Sequence, residues 1–154
     1  FANVIEEIRR ISNNLMPAEL SQLGLVDALK NLCREVSKSY GIEVIFKFNE
    51  LSREMDERIN TYLYRISQEA LNNVVKHSKA SSSTLELISN DYDIILIISD
   101  NGEGFEYNDG NITGGNGITN MRERVQILNG SFNIISKPGK VTEIKVTIPM
   151  KGKK

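Results

Sequence analysis

Cysteine and histidine are almost missing from this chain: each occurs once in 154 residues, as Cys33 and His77. One cysteine excludes an internal disulfide, and such low usage fits a reducing compartment. One cysteine and one histidine are too few ligands for a zinc site of the usual kinds. The two also fall in separate elements with no third group to orient them, which argues against a nucleophile–base pair. Cys33 instead shares a helical pattern with Leu29, Leu32 and Val36 and reads as a small core residue. Excess charge is missing too. Nineteen basic and 20 acidic residues give a net charge of -1, so no strong field draws the chain to nucleic acid or to an anionic membrane. Long apolar runs are absent: the longest, Ile94–Ile98, falls far short of the roughly 20 residues that span a bilayer. The first residues show no pattern of a secretory leader.

What is present suits one globular domain, with 40% hydrophobic and 25% charged residues. Helical spacing starts at the first residue, with Val4, Ile5, Ile8, Ile11 and Leu15 in phase. The expectation is a segment of something longer, ended or bent at Pro17. A second helix is predicted from about Leu23 to Ser39, with Leu25, Ala28, Leu29, Leu32 and Val36 inward and Gly41 as its stop. Ile42–Phe48 alternates as a half-buried strand. A long helix is predicted from about Asp56 to His77, cored by Ile59, Leu63, Ile66, Ala70 and Val74. Strands Thr84–Ser89 and Ile94–Ser99 follow, joined at Asn90-Asp91. The second of them is apolar without alternation and is expected to be buried on both faces. A loop with six glycines between Gly102 and Gly117 leads to a helix, Ile118–Leu128, that Asn129-Gly130 stops. Strands Ser131–Ser136 and Val141–Pro149 pair last. The predicted class is α+β: one sheet with helices stacked on one face.

Three sets of residues carry chemistry. On the long helix, at about 100° per residue, Glu69, Asn73 and Lys76 fall within an arc of roughly 60° beside the core stripe. A carboxylate, an amide and an ammonium there suit polyphosphate with magnesium, the amide oxygen being a hard neutral ligand and the ammonium a point charge. A solvated polar face would look the same. Asp100 ends the most apolar strand, where an ionised carboxylate can accept from an exocyclic amine such as adenine's. Gly102 and Gly104 let backbone approach a flat ring. Asp-Asn-Gly is also ordinary turn chemistry. Glycines at 110–117 in front of a helix can surround phosphate oxygens, or can form a mobile surface loop that closes over a ligand.

Taken in order, these segments resemble the ATP-binding domain of sensor histidine kinases, in the GHKL superfamily shared with DNA gyrase and large heat-shock chaperone ATPases. The asparagine box is Gln68-Glu69-Ala70-Leu71-Asn72-Asn73-Val74-Val75-Lys76-His77-Ser78. The first glycine box is Asp100-Asn101-Gly102-Glu103-Gly104-Phe105, and the second runs from Gly115-Asn116-Gly117-Ile118 to Arg124. Leu15-Met16-Pro17-Ala18-Glu19-Leu20 and the following Leu23–Leu29 are similar to the end of the dimerisation hairpin in the nitrate-sensor-type subfamily.

The resemblance implies a two-layer sandwich of the Bergerat type over residues 23–154, with residues 1–22 a remnant of the dimerisation helices. It implies Mg²⁺ at Asn73, phosphates or ribose at Lys76 and His77, and the metal or its water at Glu69. Adenine falls to Asp100 with Gly102 and Gly104, the lid and phosphates to Gly115, Gly117 and Ile118, and a further contact near adenine to Thr142. The implied activity moves the γ-phosphate of Mg-ATP to a histidine, then to a response regulator, in a homodimeric kinase working in the cytoplasm, and family habit adds membrane attachment of the full protein. The family's acceptor histidine lies on an upstream helix, so His77 is not the acceptor. The chain departs from the pattern at Asn120 and Val141, where glycines are usual. An anti-sigma-type protein-serine kinase and a degenerate nucleotide-binding module are the competing readings.

Overall fold

The computed structural model describes residues 18–49, 55–104, 116–139 and 141–150. Helix α1 (Ala18–Leu23) and helix α2 (Leu25–Tyr40) meet at Gly24, whose φ of 83° lies in the region that favours glycine. The helix predicted from Leu23 is therefore divided there. Leu20 of α1 enters the core, and α2 buries Leu25, Ala28, Leu29 and Cys33 on one face. Leu32 and Val36, expected inward, are only half-buried. Gly41 stops α2 as expected: at φ 70° its N–H donates to the Ser37 carbonyl at 3.0 Å.

Strand β1 (Glu43–Phe48) pairs in parallel with β2 (Ser82–Ser89). A parallel pair needs a crossover, which helix α3 (Glu57–Asn73) supplies. Asp56 caps α3 by accepting from the Arg58 N–H at 2.9 Å. Leu63, Ile66 and Ala70 form its buried stripe, and Val74 continues it in a second, smaller cluster with Ile42 and Ala80. Strand β3 (Asp93–Asp100) returns antiparallel to β2 after a turn in which Asn90 Oδ1 accepts from the N–H groups of Tyr92 and Asp93, both at 2.8 Å. Helix α4 (Asn116–Ile127) precedes β4 (Ser131–Ile135) and β5 (Thr142–Pro149). The sheet order is β1-β2-β3-β5-β4, antiparallel except for the first pair. The left-handed residue after α4 is Asn129 (φ 57°), while Gly130 is small because a Cβ would press on β5 at Thr147 and Ile148.

Two expectations need correction. The long helix is not α-helical to His77: it ends at Asn73 and continues as a π-helical turn, Val74–Ser78. The turn closes on Ser78, whose hydroxyl donates to the Val74 carbonyl at 2.6 Å, and Lys79 at φ 54° ends it. Nor is β3 buried on both faces. Ile94, Leu96 and Ile98 are sealed under the helices, whereas Ile95 and Ile97 are half-buried. The helices cover one face only, and on the other Ile97 is flanked by Glu86 and Lys145. Apolar side chains on that face are screened by the stems of charged neighbours, so an unbroken apolar run does not require two covered faces.

Cys33 sits where the pattern put it, 3% exposed, and burial pushes its thiol up to about 12. The thiolate is the reactive form. A thiol reagent at neutral pH is therefore expected to label the native chain about 100-fold or more slowly than the urea-unfolded chain. Comparable rates would show that the α2 face is open.

Candidate functional site

Polar groups are out of place in the interior where β2, β3 and β5 end. Asp100 closes β3 at 7% exposure. Ser83 of β2 and Thr142 of β5 stand opposite it on either side, and both are buried. Thr142 Oγ1 lies 2.8 Å from Ser136 Oγ, and Ser83 Oγ donates to the Ser99 carbonyl at 2.8 Å. Asp100 Oδ1 accepts from the Gly102 N–H at 2.8 Å. One such bond is well below what an ionised carboxylate can accept. Burial raises the Asp100 pKa, and the Gly102 hydrogen bond offsets part of the rise.

Gly102 joins this corner to the end of the asparagine box. A Cβ there would overlap the Ser78 carbonyl and come within 2.6 Å of Ser78 Cβ and 2.8 Å of Asp100 Oδ1. The Ser78 carbonyl also accepts from the Glu103 N–H at 2.7 Å. Gly104 follows at φ 68°, and the Gly139 N–H in the β4–β5 turn donates to the Glu103 carbonyl. The Lys79–Glu103 ion pair, 3.8 Å and exposed at both ends, adds little.

The second wall is made by α3 and α4. Glu69 and Asn73 are half-buried on α3, and Lys76 is exposed on the π-helical turn, where spacing of about 100° per residue no longer holds. Gly117 lies in the first turn of α4, and a Cβ there would overlap the Glu69 Oε1 atom and come within 3.1 Å of Cδ. Ile118 is buried in the main core. Arg58 of α3 donates to the Ile127 carbonyl at 3.2 Å, tying the far end of α4 to α3. Asn120 is an exposed helical residue, so its position needs no left-handed backbone. Val141 is exposed beside Thr142, also without a positive φ. Gly115 and the His77 side chain lie outside the described residues.

Contacts thus link Glu69 to Gly117, and Ser78 through Gly102 to Asp100 and its neighbour Thr142. The family model for the "Histidine kinase-, DNA gyrase B-, and HSP90-like ATPase" matches residues 59–152. The chain belongs to this ATPase family. The match contains every candidate site residue from Glu69 to Thr142.

Within the family, the chain is similar to sensor histidine kinases. It is 33% identical over 149 residues to the oxygen sensor histidine kinase NreB of Staphylococcus carnosus, covering 97% of this chain and 43% of that protein. It is 33% identical over 144 residues to the sensor protein VraS of Staphylococcus saprophyticus, covering 94% of this chain and 41% of that one. The chain thus spans less than half the length of these curated relatives. The Acinetobacter baumannii histidine kinase AdeS shares the fold with a TM-score of 0.71, at 13% identity over 98% of this chain and 82% of that one.

Sequence reasoning assigned no role to Ser78, Ser83 or Ser136, all buried at the Asp100 corner. A signal existed in β2: its inward positions run Ser83, Leu85, Leu87, Ser89, with serine in an apolar phase.

Proposed function

We propose that this chain binds Mg-ATP and holds its γ-phosphate for transfer to a histidine outside the chain, from which it passes to an aspartate of a response regulator. The observation that carries this reading is Asp100: a buried carboxylate at a strand end, bonded among the described residues to one backbone N–H, with Gly102 too close to its neighbours to carry a side chain. A carboxylate in that state keeps acceptor capacity for an exocyclic amine, as adenine offers. Gly102 and Gly104 would flank the ring, with Thr142 beside Asp100.

Asn73 is the metal ligand in this reading. Among the described residues no three acidic, histidine or cysteine side chains gather around one point, and Mg²⁺ that arrives with phosphate oxygens and waters needs few protein ligands. When bound, the ion neutralises phosphate charge. Lys76 and His77 serve the phosphates or ribose, and Glu69 orients the metal's water. Gly115, Gly117 and Ile118 form the hinge end of the lid. Phosphoryl transfer asks chiefly for positioning and charge stabilisation, so the pocket requires no nucleophile of its own. Residues 1–22 complete the dimerisation helices of a homodimer that works where ATP is available, in the cytoplasm. No described helix is long and apolar enough to cross a membrane.

Calorimetry tests the reading. ATP is expected to bind the wild-type chain more tightly with Mg²⁺, and Asn73→Asp, which exchanges a neutral ligand for a charged one, is expected to change that magnesium dependence about tenfold. The chain alone is expected to retain no labelled phosphate from γ-labelled ATP. Absence of binding at millimolar ATP, or label retained by the wild type and lost in His77→Ala, would overturn it.

A further inference from the structure

Four polar side chains cross the inner face of the sheet in one row, at the end that carries Asp100. Ser83 of β2 and Thr142 of β5 stand opposite Asp100 of β3. Ile135 pairs with Glu143, so Ser136, the residue after β4, faces Thr142. All four are at most 7% exposed. Where water is scarce, hydroxyls settle into fixed hydrogen-bond directions.

Those directions decide what the row shows to a ligand. The Ser83 hydroxyl donates to the Ser99 carbonyl at 2.8 Å, so only its lone pairs remain. Asp100, when ionised, accepts only. Thr142 Oγ1 and Ser136 Oγ are 2.8 Å apart, and the geometry permits either to donate. A hydroxyl has one hydrogen and two lone pairs. If Thr142 donates, it keeps only lone pairs for the pocket; if Ser136 donates, the Thr142 hydrogen is left for a ligand. The carboxylate opposite Thr142 attracts the positive end of its hydroxyl. That attraction turns the hydrogen to the Asp100 side and a lone pair to Ser136. Ser136 has a further interaction of its own, so its place does not depend on Thr142 alone.

We propose that Ser136 is a positioning residue that makes this corner selective for adenine: its hydroxyl donates to Thr142 and so holds the Thr142 hydrogen towards the base. The inference rests on the ATP-binding reading above. Adenine presents an amine donor and, beside it, an acceptor ring nitrogen. A carboxylate followed by a hydroxyl donor matches those two in order. Hypoxanthine, the base of ITP, presents the reverse, a carbonyl acceptor and a ring N–H donor. Asp100 repels that carbonyl whatever stands at position 136. The ring N–H then meets the Thr142 hydrogen, donor against donor. Ser136 acts through Thr142 and needs no contact with the nucleotide.

The test uses the full-length protein and reads the ratio of ATP to ITP affinity by calorimetry. The wild type is expected to prefer ATP. Ser136→Ala lets the Thr142 hydroxyl rotate, so ATP is expected to lose about threefold and ITP to gain about as much. The ratio then falls about tenfold, the worth of one hydrogen bond. Ser136→Thr keeps a hydroxyl and keeps the ratio. Thr142→Val removes the group that Ser136 controls, so its ratio falls too, and adding Ser136→Ala to it changes the ratio no further. Ser67→Ala deletes a buried hydroxyl bonded to the Leu63 carbonyl at 2.8 Å on α3; it serves as the control for lost stability and leaves the ratio within about twofold. Melting curves establish that each variant is folded. If Ser136→Ala is not, Ser136→Cys, whose thiol is a weak donor, is read by the same ratio and is expected to lower it. A serine that only packs would lower both affinities together. That result overturns the inference while ATP binding stands, as does a wild type that binds both nucleotides equally, or a ratio that falls as far in Ser67→Ala. A wild-type protein that binds no ATP overturns the ATP-binding reading, and this inference with it.

Discussion

Asp100→Asn is expected to weaken ATP binding by about an order of magnitude or more while making the free protein more stable. Asparagine keeps an oxygen for the Gly102 N–H that Asp100 accepts at 2.8 Å, so the local turn survives. Its second terminal atom becomes an NH₂ group, which faces adenine's amine donor to donor. Losing a charged hydrogen bond costs about 1.5–3 kcal/mol, so affinity should fall about 10- to 150-fold. Stability moves the other way. Burial raises the Asp100 pKa in the folded protein, so the native state holds this proton more tightly than the unfolded chain does. The group's contribution is therefore most favourable below the ordinary aspartate range. It declines as pH rises from that range through the raised folded value, and it stays unfavourable at neutral pH. Asparagine has no proton to lose. Melting temperatures of the two proteins should converge in acid and separate at neutral pH with the variant higher. A variant that binds ATP like the wild type, or a gap independent of pH, would contradict this.

Gly102→Ala should be the most damaging small substitution in the site. The added Cβ would overlap the Ser78 carbonyl and crowd Ser78 Cβ. These atoms cannot turn aside as the end of a long side chain would, because Ser78 is held by its bonds to the Val74 carbonyl and from the Ala80 and Glu103 N–H groups. Overpacking of this kind costs about 2–3 kcal/mol, which for a chain of this size lowers the melting temperature by roughly 5–10 °C. ATP binding should be lost as well, since the same displacement moves Asp100. Urea unfolding and calorimetry on one preparation check both effects, and an alanine variant that melts and binds normally would show that the Ser78 contact is looser than described.

Much of this was legible in the residues. The helix start near Asp56, the stop at Gly41 and the alternation of Ile144, Val146 and Ile148 in β5 were each read locally, and each element formed where that reading placed it. Asp100 and Thr142 were singled out separately, 42 positions apart (142 − 100), and the sheet sets them side by side. Other features depend on what packs against a segment. A run of five apolar residues in β3 cannot reveal which face the helices cover. The buried serines around Asp100 could not be told from solvated ones until strand ends met. Helical arithmetic placed Lys76 in line with Glu69 by assuming one uniform helix, and that assumption fails at Val74.

The π-helical turn makes chain length, as well as residue type, a quantity under constraint between Asn73 and Gly102. Hydrogen bonds that reach one residue further than in an α-helix let Val74–Ser78 take up an extra residue without breaking the helix. A further residue added there, with no second widened turn to absorb it, would turn everything beyond it by about 100° and carry Ser78 away from Gly102. An insertion shifts the frame that joins the α3 wall to the Asp100 corner, so the number of residues in Val74–Ser78 is constrained alongside the Ser78 side chain that closes the turn.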